Sequence, residues 1–161
     1  MTVIAINLLD EYDLWRTAEN VRRFFSKQRG SDGKIHDSMF NRFKMLAVTD
    51  NLLSSIDYDG MPKSKNDKNN QEEMLTKHIE AQLVVETVEG IIKNLPSSFE
   101  HGFSQEIMKR YYLENEKDHV IYSSLGLQST RYYELKQLAA VRFAEIMDEK
   151  LIIGHKFVVN I

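Results

Sequence analysis

Eight polar residues stand close together near the C-terminal third of the chain: Gln128, Ser129, Thr130, Arg131, Tyr133, Glu134, Lys136 and Gln137. Amide, hydroxyl and guanidinium groups on one short helix can hydrogen-bond the edges of bases in a DNA major groove. Ser129, Thr130, Arg131, Tyr133, Glu134 and Gln137 fall on the face expected to meet bases. Gln128, Lys136 and the backbone amides opening the helix are expected to meet phosphate.

Such a face needs a support. Asp118 to Ala144 predicts a short helix, a turn on Gly126 and a longer helix opening at Ser129. Glycine supplies the positive φ that a tight turn requires. Ile121, Leu125 and Leu127 point inward before the second helix. Tyr132, Leu135, Ala139 and Phe143 then recur at spacings of three, four and four, which marks one apolar stripe. Tyr122 stands where two such helices approach closely and a small side chain is expected. Either the helices splay, or the tyrosine turns outward and offers a hydroxyl to phosphate.

The rest of the chain also predicts helices. Asp10 to Arg29 has Leu14, Ala18, Val21 and Phe25 at helical spacing, with Trp15 and Phe24 widening the face. Gly30 to Gly33 breaks it. Asp37 is the expected cap of a second helix with Phe40, Phe43, Met45, Leu46, Leu52, Leu53 and Ile56. Residues 59–70, DGMPKSKNDKNN, predict an exposed loop. A third helix follows from about Glu72 to Asn94 on Leu75, Ile79, Leu83, Val88 and Ile92, closed by Pro96. Ser104 is the expected cap of a fourth, bearing Ile107, Met108, Tyr111 and Tyr112. The division is an N-terminal helical region at 1–95 that is a candidate for oligomerisation, the helix-turn-helix at 96–150, and an apolar tail at 151–161. That tail extends the last helix or forms a short strand, against its own domain or a partner. The fold class is all-α, with about six helices.

Composition narrows the functions. Net charge is −3, so the chain is no polycationic nucleic-acid coat, although Arg16, Arg22, Arg23, Lys27, Arg29, Lys34, Arg42 and Lys44 make its first part basic. That basic stretch is better read as a solvated face than as a DNA-backbone contact. Cysteine is absent, which removes thiolate chemistry and is compatible with a reducing cytoplasm. No apolar run spans a bilayer and no leader pattern opens the chain. His36, His78, His101, His119 and His155 lack zinc-ligand spacing. Ser97, Ser98 and His101 lack an elbow motif and an orienting acid, Gly30 to Gly33 is no phosphate loop, and Glu72–Glu73 and Glu114–Glu116 are ordinary solvated positions. The pairs Phe24–Phe25, Tyr111–Tyr112 and Tyr132–Tyr133 each place one ring inward, so packing explains them better than base stacking. No catalytic residue, metal site or cofactor is expected.

The stretch LQSTRYYELKQLAAVRF at Leu127 to Phe143 resembles the C-terminal helix-turn-helix of ArpU-type (autolysin regulatory protein-like) phage late-gene regulators, a unit itself similar to region four of sigma factors. TAENVRRFFSKQR at Thr17 to Arg29 is similar to that family's first helix. IDYDGMPKSKNDKNNQEEM at Ile56 to Met74 is similar to its Pro-Lys-Ser linker, and IMKRYYLENE at Ile107 to Glu116 to the helix before the turn. The resemblance runs from about residue 10 to 150; MTVIAINLL and IIGHKFVVNI match no part of it, and Tyr122 departs from it. It implies a transcriptional activator of phage or prophage late genes for packaging and lysis. Such a protein binds double-stranded DNA at a late promoter in the cytoplasm of a bacterial host, with RNA polymerase as a further partner. Because one short helix reads only a few base pairs, a homodimer on half-sites about one turn apart is expected. Two alternatives stay open: a helical adaptor or anti-activator without DNA contact, and a small terminase-like DNA-binding subunit.

Overall fold

The computed structural model describes residues 12–48, 65–97, 102–150 and 156–161. Among them are six α-helices, one π-helical stretch and a two-stranded hairpin, an all-helical architecture with a single small β element. The expected positions Leu52, Leu53 and Ile56, the first part of the 59–70 loop, Ser98, His101 and His155 lie outside the described residues.

Helix α1 spans Leu14–Phe25. The Asp13 carboxylate caps it by accepting the Arg16 N–H at 3.0 Å, and Ser26 ends it in extended geometry. The helix expected over Asp10 to Arg29 is therefore shorter at both ends. Its last predicted residues form β1 (Gln28–Arg29), which pairs antiparallel with β2 (Ile35–His36). Thr17, Val21, Phe24 and Phe25 are buried, whereas Trp15 is 69% exposed. Trp15 sits two positions before Thr17, out of phase with the buried stripe. Trp15→Ala is accordingly expected to shift unfolding stability by less than about 0.5 kcal/mol in urea melts. A larger loss would place the indole in the core.

Helix α2 spans Met39–Val48. Its cap is Ser38 instead of Asp37: the Ser38 hydroxyl accepts the Asn41 N–H at 3.1 Å. Phe40 faces the core, while Met45 and Leu46 face outward. Helix α3 spans Lys65–Asn94, so the helix begins inside the stretch expected to be loop. Its expected core face is partly inverted. Leu75, Ile79 and Leu83 are exposed, while Ala81, Val84, Val88, Ile91 and Ile92 are buried, as is Leu95 just beyond the helix. Ile79 and Val84 project from opposite sides of the helix, so α3 carries two apolar faces and the core takes one.

Helix α4 (Ser104–Ile107) runs into the π-helical stretch Met108–Leu113. Ser104 is not its cap: Phe103 precedes it in left-handed geometry, and the Ser104 hydroxyl accepts from Arg142 Nη1 at 2.6 Å. Helix α5 spans Asp118–Ser124 and helix α6 spans Ser129–Lys150.

One cluster joins the two halves of the sequence. Val21, Phe24, Phe25, Phe40, Val84, Val88 and Ile92 pack with Met108, Tyr112, Ala139, Phe143, Ala144, Met147 and Phe157. A line at residue 95 runs through this core. Phe157 is fully buried, with ring centroids 5.3 Å from Phe24 and 6.2 Å from Phe143. Residues 156–161, the described part of the tail, therefore pack on their own chain. Asp148 accepts the N–H groups of Phe157 and Val158, each at 2.8 Å. Thr17 accepts that of Val159 at 3.1 Å, and Asn20 donates to the Phe157 carbonyl at 3.0 Å. These bonds satisfy the backbone on either side of the buried Phe157, in a segment with one isolated bridge, Asn160 to Tyr12. Among the described residues, no helix is long and apolar enough to cross a membrane.

Candidate nucleic-acid interface

The turn between α5 and α6 closes by two backbone hydrogen bonds. Leu127 N–H donates to the Tyr122 carbonyl at 2.9 Å, and Gly126 N–H donates to that of Ser123 at 3.3 Å, with Gly126 at φ +69°. This is a Schellman closure, in which the glycine takes the left-handed conformation that L side chains avoid. It accounts for Tyr122. Position 122 supplies the carbonyl that terminates the helix, and its ring packs with Leu127 against the small cluster of Ile107, Ile121, Tyr132 and Leu135. The Tyr122 ring lies 5.6 Å from that of Tyr132. The helices accommodate a tyrosine because its ring extends this cluster, while the residue also borders a neighbouring cleft.

Helix α6 changes character along its length. Tyr132, Leu135, Ala139 and Phe143 are all buried, as their spacing predicts. Beyond Ala139 the helix is enclosed on most sides, with Ala140, Val141, Ala144 and Met147 also buried. Its first two turns stand clear: Gln128, Ser129, Thr130, Arg131, Tyr133 and Glu134 are exposed. Arg131 reaches Glu134 at 3.0 Å, with both side chains more than half exposed. Such a pair contributes little and exchanges readily for another acceptor.

The two remaining candidates are placed differently. Lys136, expected to meet phosphate, spends its charge inside the protein. Its ammonium lies 2.9 Å from Asp118 Oδ1 and 3.2 Å from the centre of the Tyr111 ring, with the side chain only 16% exposed. An ammonium held by a carboxylate and an aromatic face is no free arm. Gln137 is half-buried along a groove of about 390 Å³ between α1 and α6, beside Trp15, Arg22 and Tyr133.

Residues that pattern reading passed over hold the unit in place. Asp118 accepts from the Tyr132 hydroxyl at 2.8 Å as well as from Lys136, so it ties the start of α5 to α6. Burial, then the hydrogen bond to Asp118, pushes the Tyr132 phenol well above its ordinary range, so it remains a donor. Arg110 holds both oxygens of Glu116 and also donates to the Ser124 hydroxyl, which joins the π-helical stretch to the last turn of α5. Hydrogen bonding to Glu116 raises the Arg110 guanidinium, and the same bond holds the Glu116 carboxyl below its usual value. Neither Asp118 nor Arg110 has a periodicity that marks it; each is found only through a partner distant in sequence.

Neither the models of known protein families, nor curated proteins, nor solved structures give a match to this chain. A functional reading therefore rests on the geometry of the α5–α6 unit and its surroundings.

Proposed function

We propose that this protein is a sequence-specific double-stranded DNA-binding regulator of transcription, with the first two turns of α6 as its reading element. The observation that carries this reading is the asymmetry of α6. Its N-terminal tip presents Ser129, Thr130, Arg131 and Glu134 to solvent, while Tyr132, Leu135, Ala139 and Phe143 anchor the opposite stripe in the protein. A helix about 10–12 Å across fits a major groove about 12 Å wide, and the short side chains at the tip allow close approach. One tip reads few base pairs, so the active species is a dimer on two half-sites about one turn of DNA apart. Together with the ArpU-like stretch at Leu127 to Phe143, this favours activation of phage late genes alongside RNA polymerase in a bacterial cytoplasm.

The test is selection from a random-core duplex library, followed by fluorescence anisotropy on the enriched duplex. Thr130→Ala combined with Arg131→Ala is expected to weaken that duplex by at least about tenfold, from 1–3 kcal/mol per base contact. Binding to a scrambled duplex should stay nearly constant, with helicity preserved by circular dichroism. Failure of the wild-type protein to enrich any sequence would sink the reading. The rival, an adaptor without DNA contact, is favoured by Trp15, which stands exposed beside the α1–α6 groove. It predicts no enrichment, and a protein partner whose capture is lost in Trp15→Ala.

A further inference from the structure

Beside the exposed tip of α6 lies a second opening, a cleft of about 510 Å³ between the C-terminal end of α1 and the turn into α5. Ser26 stands on one wall. Lys117 and His119 stand on the other, with Tyr122 and Tyr133 bordering it from α5 and α6. Donors in the lining include the Ser26 hydroxyl, the Tyr122 and Tyr133 phenols, the Lys117 ammonium and the His119 imidazole.

Its two carboxylates do not repel an anion in proportion to their number. Glu116 is held by Arg110 at 2.7 Å and Asp118 by Lys136 at 2.9 Å. Lys117, in contrast, is exposed and has no carboxylate partner among the described residues. Lys27, next in sequence to Ser26, is likewise exposed and unpaired among them. With both carboxylates paired, the charge left on the cleft lining is that of the Lys117 ammonium.

We propose that this cleft seats a backbone phosphate of duplex DNA, with Lys117 as the principal cation and Ser26, Tyr122 and Tyr133 as hydroxyl donors. The inference rests on the reading of α6 as the base-reading helix and adds the contact that sets its register on the duplex. Tyr133 belongs to both surfaces: it leaves α6 one turn from the tip and ends at the cleft. A phosphate held there fixes how far the tip slides along the groove. Contacts of this kind orient a protein on DNA and carry no base preference of their own. Lys136, engaged by Asp118 and Tyr111, has a different task, which is to neutralise the carboxylate nearest the bound anion.

The experiment measures anisotropy of the wild-type protein, Lys117→Gln and Tyr122→Phe on the enriched duplex and on a scrambled one, across a salt series. Lys117 is exposed and Tyr122→Phe removes only an oxygen, so both variants should fold, as circular dichroism will verify. Lys117→Gln is expected to weaken both duplexes by the same factor and to flatten the plot of log K against log salt by about one unit. Preference between the two duplexes should not change. A duplex with one neutral methylphosphonate should reproduce the loss in the wild-type protein and add nothing in Lys117→Gln. Tyr122→Phe should weaken both duplexes equally, with an unaltered slope. Intact base preference through Arg131 with an unchanged slope in Lys117→Gln would overturn the cleft assignment alone. Calorimetric binding of inorganic phosphate to the wild type, lost in Lys117→Gln without any change on duplexes, would also overturn it in favour of a free anion. No wild-type binding to any duplex would overturn the base-reading assignment and this one together.

Discussion

Phe157→Ala is expected to lower the unfolding free energy by about 3–5 kcal/mol, the range for removing a fully buried phenylalanine. The ring has no exposed surface and sits edge-on to Phe24 and Phe143, one from each half of the sequence. Its loss leaves a cavity between α1 and α6. The backbone there cannot collapse freely, because Asp148, Thr17 and Asn20 hold residues 157–159 by four hydrogen bonds. Urea unfolding followed by circular dichroism will check the size. Ile161→Ala, four residues further on and 88% exposed, serves as the control and should be silent. A Phe157→Ala loss below about 1 kcal/mol would show that the tail is dispensable.

Ile121→Ala should cost about 2–5 kcal/mol for the same kind of reason, but with a local signature. Ile121 is fully buried in the smaller cluster, where only Ile107, Tyr132 and Leu135 are buried with it. So small a cluster has few neighbours to move into the gap. The Ile121 carbonyl, which alanine keeps, accepts the Leu125 N–H at 3.1 Å and the Ser124 hydroxyl at 2.9 Å, so the loss falls on the side-chain packing of α5 alone. Native-state hydrogen exchange should therefore quicken in α5 more than in α1 or the buried half of α3. Equal acceleration throughout would mean that the small cluster and the main core unfold as one unit.

The contrast between α6 and α3 shows what a sequence can reveal. Tyr132, Leu135, Ala139 and Phe143 form the one continuous apolar stripe at the start of α6, and every member is buried. Along α3, Leu75, Ile79 and Leu83 compete with Ala81, Val84, Val88 and Ile91, and both sets fit a helical period. Which set meets the core is decided by α2 and α6, elements that periodicity within α3 does not see. Trp15 is a similar case: its size argues for burial, but its phase on α1 places it outside. The β1–β2 hairpin was hidden because a two-residue strand is too short to display alternation. The exposed tip of α6 was legible as polar residues after a glycine turn. The engagement of Lys136 was not, because its partners Asp118 and Tyr111 lie 18 and 25 positions away in the chain.

The burial of α6 beyond Ala139 makes the exposed tip and the centre of the molecule parts of one rigid rod. Under the proposed reading of α6 the tip has no swivel, so the molecule turns as a whole to inspect DNA. Damage to the interior would then lower the fraction of molecules able to bind and leave the affinity of the survivors untouched. A temperature-sensitive variant is accordingly expected to map to the core and, on the proposed reading, to lose DNA occupancy along its melting curve.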